Sequence, residues 1–253
     1  MALQSQGRAL VTGASRGIGR ACAEALAGAG FRVALHFHRE EAAAAALAAE
    51  LPGGPHPLLQ ADLGIPAEAA ALVERAAAVL DGLELLVNNA GIYAEHPPLA
   101  SSPAAWRAAW ERTLTVNLLA PALLCQAAAQ RMAASGAGRI VNVSSRGAWR
   151  GEPTAPAYGA SKAGLNALGQ SLALALAPAG VLVFTVAPGW VDTDMATGYL
   201  GGPGGAAVRA QSPLNRVASP AEIAATVLWL ATEAPAFATG AIVDVNGASY
   251  LRS

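Results

Sequence analysis

The amino-acid sequence predicts an α/β fold, with a single doubly wound parallel sheet flanked by helices on both faces. Short apolar segments alternate along the chain with longer, Ala-rich segments, an alternation typical of successive βα units. The chain has 253 residues, a length at which α/β folds often form one unit. We find no internal repeat and no convincing boundary, so we expect one domain over residues 1–253.

The expected strands and helices follow one another in order. Strands are predicted at residues 8–11, 32–37, 57–60, 84–88, 139–144, 181–186 and 241–245, where short apolar runs occur. Helices are predicted at residues 20–29, 40–51, 66–80, 103–134, 157–177 and 220–232. Residues 53–55 and 201–205 combine glycine with proline and are predicted to be loops.

Charge and hydropathy argue against several classes of protein. The formal net charge is −1, so nothing indicates a surface for nucleic acid or for an anionic membrane. Residues 1–8 lack the apolar core of a secretory signal. The longest uncharged stretch, residues 163–191, is broken by Pro178 and Gly180, which argues against a membrane span. We therefore expect a cytoplasmic protein.

The cysteines and histidines give no sign of a metal site or a disulfide. Cys22 and Cys125 fall in helical patterns, where buried, chemically inert thiols are expected. The four histidines have no partners at metal-ligand spacing. We expect no metal.

A glycine-rich turn, Thr12-Gly13-Ala14-Ser15-Arg16-Gly17-Ile18-Gly19, joins the first strand to the first helix. A dinucleotide site requires this strand–turn–helix context. Glycines let the backbone approach a pyrophosphate, and the free N–H groups of the helix N-terminus bind the anion. The spacing is G-x-x-x-G-x-G rather than G-x-G-x-x-G. The alternative is a βα turn without a ligand.

Tyr158 and Lys162 form a Y-x-x-x-K pair, and Ser145 lies thirteen residues before the tyrosine. Residues four apart share one face of a helix. A lysine ammonium beside a phenol favours the ionised phenol, and this is one way to make tyrosine a usable acid or base near neutral pH.

Together with Asp62, residues 88–91, Asn117 and residues 188–193, these motifs resemble the short-chain dehydrogenase/reductase family in order and spacing. The resemblance extends over about residues 7 to 251 and is greatest to the 3-oxoacyl-[acyl-carrier-protein] reductase branch. It implies a Rossmann-like, NAD(P)-binding fold and an oxidoreductase that interconverts a ketone and a secondary alcohol. It also implies a substrate lid at about residues 194–213, where a disordered surface loop is the alternative.

The resemblance also assigns site residues. Tyr158 donates a proton to the substrate oxygen, Lys162 stabilises the tyrosinate and binds the nicotinamide ribose, and Ser145 polarises the substrate carbonyl. Asn117 positions a water that relays protons to Lys162; a satisfied core asparagine is the alternative. The cofactor contacts implied are Gly13, Ser15, Arg16, Gly17, Ile18, Gly19, His38, Arg39, Asp62, Leu63, Asn89, Ala90, Gly91, Tyr158, Lys162, Pro188, Gly189, Val191 and Thr193.

The end of the second strand indicates which nicotinamide cofactor is used. NAD-specific members of the family usually carry an acidic residue there, where this chain has Phe37. Arg16, with His38 or Arg39, is placed to pair with a 2′-phosphate, for which a planar guanidinium is suited. We therefore expect NADP(H); the alternative is that these bases are solvated.

The substrate and the partners are less well determined. The expected walls of the substrate site are Ile92, Tyr93, Arg146, Trp149, Trp190 and Tyr199, which suggest an apolar or flat carbonyl compound or an acyl thioester. Arg146, directly after Ser145, could meet an anionic group; the alternative is a base at the surface. Where the reductases of fatty-acid synthesis carry two carrier-docking arginines, this chain has Gly136 and Ala179, so carrier-protein docking is doubtful. The family resemblance and the charged fraction of 13% favour a homotetramer.

Three functions follow. The first is an NADPH-dependent carbonyl reductase, with 3-oxoacyl thioesters as one substrate class. The second is an NAD(P)-dependent alcohol or sugar dehydrogenase. The third is a catalytically silent nucleotide-binding protein on the same fold.

Overall fold

In the computed structural model, which describes residues 7–252, a parallel sheet of seven strands forms the centre of the protein. The strands are β1 (Arg8–Val11), β2 (Arg32–Phe37), β3 (Leu58–Gln60), β4 (Leu85–Asn88), β5 (Gly138–Val143), β6 (Val181–Pro188) and β7 (Ile242–Val245). Their order across the sheet is β3-β2-β1-β4-β5-β6-β7. The predicted fold class and all seven predicted strands are confirmed.

The helices cover both faces of this sheet. They are α1 (Gly17–Gly28), α2 (Glu41–Glu50), α3 (Pro66–Leu80), α4 (Pro103–Leu114), α5 (Ala120–Ser135), α6 (Gly147–Arg150), α7 (Pro156–Leu176), α8 (Asp194–Leu200), α9 (Gly205–Arg209) and α10 (Pro220–Thr232). The short helices α6, α8 and α9 were not predicted. The expected helix over residues 103–134 is divided between α4 and α5 by one turn of π-helix, Thr115–Leu119.

Two apolar clusters lie on the two faces of the sheet, because successive strand residues point to opposite faces. Val11 packs in one cluster with Leu26 of α1 and Val227 of α10. Leu10, the preceding residue, packs in the other cluster with residues of α3 and α5 such as Leu72. This pattern explains why the strands read as continuous apolar runs rather than as alternating ones.

The two cysteines belong to different clusters, Cys22 to the first and Cys125 to the second, and both are buried and free. Burial raises the pKa of each thiol to about 12, which makes both groups poor nucleophiles. The role predicted for them is confirmed. Over residues 7–252, no group of three His, Cys, Asp or Glu residues could hold a metal ion, and no helix is long and apolar enough to cross a membrane.

The order of the strands reverses between β1 and β4, which lie side by side. β1 leads back to β2 on one side, while β4 leads on to β5 on the other. In open α/β sheets a crevice forms at such a switch point, outside the carboxyl ends of the strands. The fold therefore places a cleft next to the glycine-rich turn.

Candidate active site

A cleft of about 540 Å³ lies at this switch point. All but two of the predicted site residues line it: Gly13, Ser15, Arg16, Gly17, Ile18, His38, Arg39, Asp62, Leu63, Asn89, Ala90, Gly91, Ser145, Tyr158, Lys162, Pro188, Gly189, Val191 and Thr193. The two exceptions, Gly19 and Asn117, are not part of the lining and lie behind it.

The glycine-rich turn requires glycine for two separate reasons. Gly17 has a φ of +55°, in the left-handed region that glycine adopts readily. Gly19 packs so tightly that a Cβ there would lie 2.0 Å from the carbonyl oxygen of Gly13. The first turn of α1 has no side-chain cap and no acidic residue. Its N–H groups are therefore left for an anion in the cleft.

Asn89 and Thr12 hold the turn against the end of β4. The Asn89 Nδ2 donates to the carbonyl oxygens of Thr12 (2.9 Å) and Gly13 (3.2 Å). In return, Thr12 Oγ1 accepts from the N–H groups of Asn89 (2.9 Å) and Ala90 (3.0 Å). Asn89 therefore shapes the cleft as well as lining it. Thr12 was not predicted as a site residue.

His36 ties the same turn to β2. Its Nδ1 accepts from the N–H of Gly13 (3.0 Å), so its Nε2 carries the proton and donates to the carbonyl oxygen of Ala61 (3.1 Å). The ring is 2% exposed, and burial is the main cause that lowers its pKa to about 4. His36 is therefore a neutral structural residue at physiological pH. No pattern in the sequence indicated this role for His36.

The edge of the cleft beyond β2 carries the basic residues that were expected to select the cofactor. His38 and Arg39 follow Phe37, which is buried with 3% of its surface exposed. Arg16 forms a solvent-exposed ion pair with Asp194 of α8, at 3.3 Å. Exposed pairs of this kind contribute only about 0–1 kcal/mol, so a ligand phosphate can replace the carboxylate.

Asp62 lies at the same edge. Its Oδ1 accepts from the N–H of Gly64 (2.8 Å) and its Oδ2 lies 3.5 Å from His38 Nε2. Asp62 does not cap α3, whose N-cap residue is Ile65. The carboxylate therefore shapes the turn after β3 and still faces the cleft.

Ser145 and Tyr158 face each other across the inner part of the cleft. Ser145 Oγ accepts from the N–H of Gly147 (3.0 Å), so its hydroxyl proton is left to be donated. Burial raises the pKa of Tyr158 to about 12, and a hydrogen bond with Ser145 partly opposes this shift. Tyr158 is thus held as a protonated phenol. The neighbouring Ser144 does not take the role expected of Ser145, because its Oγ donates to the carbonyl oxygen of Lys162 (3.2 Å).

Lys162 lies one helical turn after Tyr158 on α7, as the spacing predicted. Its Nζ donates to the carbonyl oxygen of Val143 (2.8 Å) and lies 5.7 Å from the centre of the Tyr158 ring. Burial lowers its pKa to about 8. Burial of the phenol is the main influence on the Tyr158 pKa in this arrangement, and the expected lowering of that pKa by Lys162 stays a prediction.

Asn117 lies within the π-helical turn and is fully buried. Its Oδ1 accepts from the N–H of Ile92 (2.8 Å), and its Nδ2 donates to the carbonyl oxygen of Ile92 (2.9 Å) and to Ser161 Oγ (3.2 Å). The side chain thus joins the loop after β4 to α7. Its expected role in holding a water beside Lys162 stays a prediction.

The segment expected to be a lid is folded over the cleft as α8 and α9 with a turn between them, so it is not a plain loop. Tyr199 of α8 donates to Glu95 (2.6 Å), and its ring packs 5.3 Å from that of Trp190 and 6.3 Å from that of Tyr93. Tyr93 in turn lies edge-on to Tyr158, with the ring centres 5.0 Å apart. Three aromatic side chains therefore form one wall beside the candidate proton donor.

The opposite wall carries charge. Arg146, Arg150 and Glu152 all line the cleft. Burial lowers the pKa of Arg146 and raises that of Glu152. The carboxylate of Glu152 packs on the backbone of Gly147, where a Cβ would lie 2.3 Å from Oε1. Of the residues expected in the substrate walls, Trp149 does not line the cleft and lies under Arg252 instead, with the guanidinium carbon 4.4 Å from the ring centre.

Comparison with known proteins agrees with this geometry. A family model described as enoyl-(acyl carrier protein) reductase matches residues 13–248. The chain is 38% identical over 239 residues to cis-4-hydroxycyclohexanecarboxylate dehydrogenase of Sinomonas cyclohexanicum, covering 94% of each chain. It is 37% identical over 256 residues to the 3-oxoacyl-[acyl-carrier-protein] reductase FabG of Aquifex aeolicus (strain VF5), covering 99% of this chain and 100% of that one.

A solved structure is similar over the same length. It is a short chain dehydrogenase from Burkholderia cenocepacia J2315 in complex with NADP, with a TM-score of 0.87, 33% identity, and coverage of 97% of this chain and 98% of that one. These matches extend well beyond the motifs, through the sheet, the cleft and the segment above it. The protein therefore belongs to the short-chain dehydrogenase/reductase family and is an oxidoreductase that acts on alcohol and ketone groups with a nicotinamide cofactor.

Proposed function

We propose that the protein is an NADPH-dependent reductase that converts a ketone to a secondary alcohol, in the manner of the 3-oxoacyl-thioester reductases. The observation that carries the proposal is that Ser145, Tyr158 and Lys162 line the same cleft as the glycine-rich turn. An orienting hydroxyl, a proton donor and a dinucleotide cradle in one cleft suit coupled hydride and proton transfer.

The residues present fit a dinucleotide. Gly17 and Gly19 leave a surface without side chains beside the uncapped start of α1, which suits the pyrophosphate. Following the family resemblance, we assign Asp62 and Leu63 to the adenine end and residues 188–193 to the nicotinamide end. When bound, the cofactor supplies the hydride.

The protein orients the substrate carbonyl and supplies the proton. Ser145 receives a hydrogen bond from the N–H of Gly147 and donates a hydrogen bond to the substrate oxygen, which polarises the carbonyl. Tyr158 holds its proton at neutral pH and gives it to the same oxygen as that oxygen becomes an alkoxide. The phenolate then needs a nearby cation, and Lys162 carries a charge at pH values below its pKa of about 8. Asn117 holds the loop after β4 in place and is proposed to position the water that returns the proton.

NADP(H) is favoured over NAD(H) by the charges at the β2 edge. Phe37 offers no acceptor for a ribose 2′-hydroxyl. Arg16, His38 and Arg39 line the cleft together with Glu40, and we propose that the three basic side chains bind a 2′-phosphate. The solved structure described above contains NADP, which supports the same choice.

Two further proposals follow from family resemblance. Residues 194–213 act as a substrate lid, held in the present arrangement by the Tyr199–Glu95 and Arg16–Asp194 contacts. The assembly is a homotetramer. Docking of an acyl carrier protein is not proposed, because Gly136 and Ala179 occupy the two docking positions.

The second candidate is an enzyme that oxidises an alcohol with NAD(P)⁺. The relative from Sinomonas cyclohexanicum is named as a dehydrogenase of a hydroxy acid, and the same residues serve the reverse reaction. A silent nucleotide-binding protein is disfavoured, because Asn117, Ser145, Tyr158 and Lys162 are all present.

The test is a comparison of cofactors and substrates. Nicotinamide absorbance is followed with NADPH and with NADH, against acetoacetyl-CoA, simple ketones and diketones. We expect ketone-dependent oxidation of NADPH, with NADH at least tenfold slower. Turnover of acetoacetyl-CoA would place the enzyme with the thioester reductases, and turnover of ketones alone would make it a general carbonyl reductase. Failure of every ketone with both cofactors would overturn the proposal.

A further inference from the structure

Arg146 is an arginine in the cleft that forms no ion pair within 4.0 Å among the described residues. Its side chain is 4% exposed, and it directly follows Ser145. Nη2 donates to the neutral amide oxygen of Gln211 (2.5 Å), at the far end of the lid segment. Nη1 is buried and has no hydrogen-bond partner. Across residues 7–252, no carboxylate lies within 4.0 Å of this guanidinium.

A second unpartnered donor lines the same cleft. The indole Nε1 of Trp190 is buried without an acceptor. The two residues come from neighbouring loops: Arg146 follows β5 and Trp190 follows β6, and the N–H of Arg146 donates to the carbonyl oxygen of Pro188 (2.9 Å). Both unpartnered groups donate hydrogen bonds, so the ligand they match is an acceptor.

The charges in this wall favour an anion. Arg146 and Arg150 face one carboxyl group, Glu152, which leaves an excess of one positive charge when all three are ionised. Glu95 is engaged by Tyr199, and Asp194 by Arg16 at the other end of the cleft. A buried cation without a partner is costly, and an anion brought by the ligand removes that cost.

The position of Arg146 limits the kind of anion. Arg146 follows Ser145 directly in the chain and lines the same cleft, so an anion bound by its guanidinium shares this cleft with the reacting carbonyl. A carboxylate on the reacting part of the substrate suits this position better than the phosphates of a coenzyme A thioester, which are far from the ketone. The aromatic wall of Tyr93, Trp190 and Tyr199 suits an apolar ring or chain between the two groups.

We propose that Arg146 is a specificity-determining residue that binds the carboxylate of a small oxo acid while Ser145 and Tyr158 act on its ketone. The inference rests on the proposed ketone reductase function. Gln211 positions the guanidinium, and the indole of Trp190 provides a further donor. The substrate class is therefore a small, largely apolar ketone, or the matching alcohol, that also bears a carboxylate.

The test compares 4-oxocyclohexanecarboxylate with its methyl ester, which has the same ring and ketone but no charge. We expect the wild-type kcat/KM for the acid to exceed that for the ester by about 100-fold, and Arg146→Gln to abolish this preference. Arg146→Lys should retain part of it. The control is Arg107→Gln, an exposed arginine outside the cleft that should keep the wild-type ratio. Acetoacetyl-CoA is the third substrate compared, because its anionic groups are phosphates rather than a carboxylate beside the ketone.

Binding provides a readout that does not depend on turnover. Calorimetry should show that the wild-type protein binds cyclohexanecarboxylate, that cyclohexanecarboxamide binds at least tenfold more weakly, and that Arg146→Gln removes the difference. Reduction of the ester and acid at equal rates, preference for acetoacetyl-CoA, or an unchanged ratio in Arg146→Gln would each overturn the inference while leaving ketone reduction intact. Selective binding of the carboxylate without reduction of any ketone would support the anion site and overturn the proposed function instead.

Discussion

The two halves of the cleft are built in different ways. In the cofactor half the glycine-rich turn presents main chain at Gly13 and Gly17, held by bonds such as those from the Gly13 N–H to His36 and from the Asn89 amide to Thr12. In the substrate half the surface is mostly side chains on loops and on the short helix α8, including Arg146 and Tyr199. The cofactor half is therefore fixed by the fold, whereas the substrate half can come to bind a different ligand when a few side chains are exchanged.

Tyr158 lies where the two halves meet, and its loss should have the largest effect. In Tyr158→Phe the ring remains and only the proton donor is removed, so we expect ketone reduction to fall about 10³-fold. NADPH affinity, measured by fluorescence titration, should change less than threefold. Tyr250→Phe, which removes a hydroxyl outside the cleft, is the matched control. Turnover that persists in Tyr158→Phe would show that another group supplies the proton.

Gly19→Ala tests the glycine-rich turn of the cofactor half directly. A Cβ at Gly19 would lie 2.0 Å from a backbone oxygen that cannot move without opening the turn, so we expect NADPH affinity to fall about 100-fold. Gly28→Ala is made in the same helix, where a Cβ meets nothing within 4 Å, and should stabilise the fold by about 0.5–1 kcal/mol. Equal NADPH affinities in the two variants would contradict the close-approach argument.

The sequence predicted the sheet and most of the cofactor half because their signals are local. Apolar runs mark the strands, and glycines in a strand–turn–helix context mark the cradle. His36 escaped prediction because its role depends on two backbone groups, those of Gly13 and Ala61, which only the folded sheet brings to it. The same holds for Thr12, which binds the residues that follow β4.

The substrate half was harder to predict because its contacts join distant segments. The Gly-rich stretch 201–205 suggested a loop, but α8 and α9 form on either side of it. Helix α8 contacts Arg16 through Asp194 and Glu95 through Tyr199. The expected helix over 103–134 is interrupted by a π-helical turn, at the buried Asn117 that bonds to Ile92. Helical periodicity alone does not reveal such a turn, since it reflects tertiary bonds of one side chain.

In the cofactor half, side chains are expected to determine the choice between NADP(H) and NAD(H). Arg39 is exposed at the β2 edge of the cleft, so Arg39→Ala should leave the fold intact while removing one cation near the 2′-phosphate. We expect the KM for NADPH to rise about tenfold, and less at high salt. The KM for NADH should stay within twofold and serves as the internal control. An equal rise for both cofactors would show that Arg39 contacts a part that they share.

The smallest effect concerns the pH dependence of the cofactor half. His36 has a pKa of about 4 in the fold against 6.5 for an unperturbed histidine, so the unfolded chain binds its proton first as pH falls. The stability that neutral His36 contributes is complete above pH 6.5 and is lost progressively toward pH 4. Between pH 7 and pH 5.5 this loss amounts to about 1 kcal/mol.

Urea unfolding of wild type and of His36→Gln, at pH 7 and at pH 5.5, isolates the contribution of His36 to the pH dependence of stability, because the carboxylates titrate alike in both proteins. The variant should be less stable at pH 7, since glutamine reproduces the bonds to Gly13 and Ala61 poorly. Its stability should nevertheless fall by about 1 kcal/mol less than that of wild type on acidification. Parallel losses in the two proteins would mean that His36 can accept a proton within the fold, and the bond to Gly13 would then not hold the turn in place as the geometry requires.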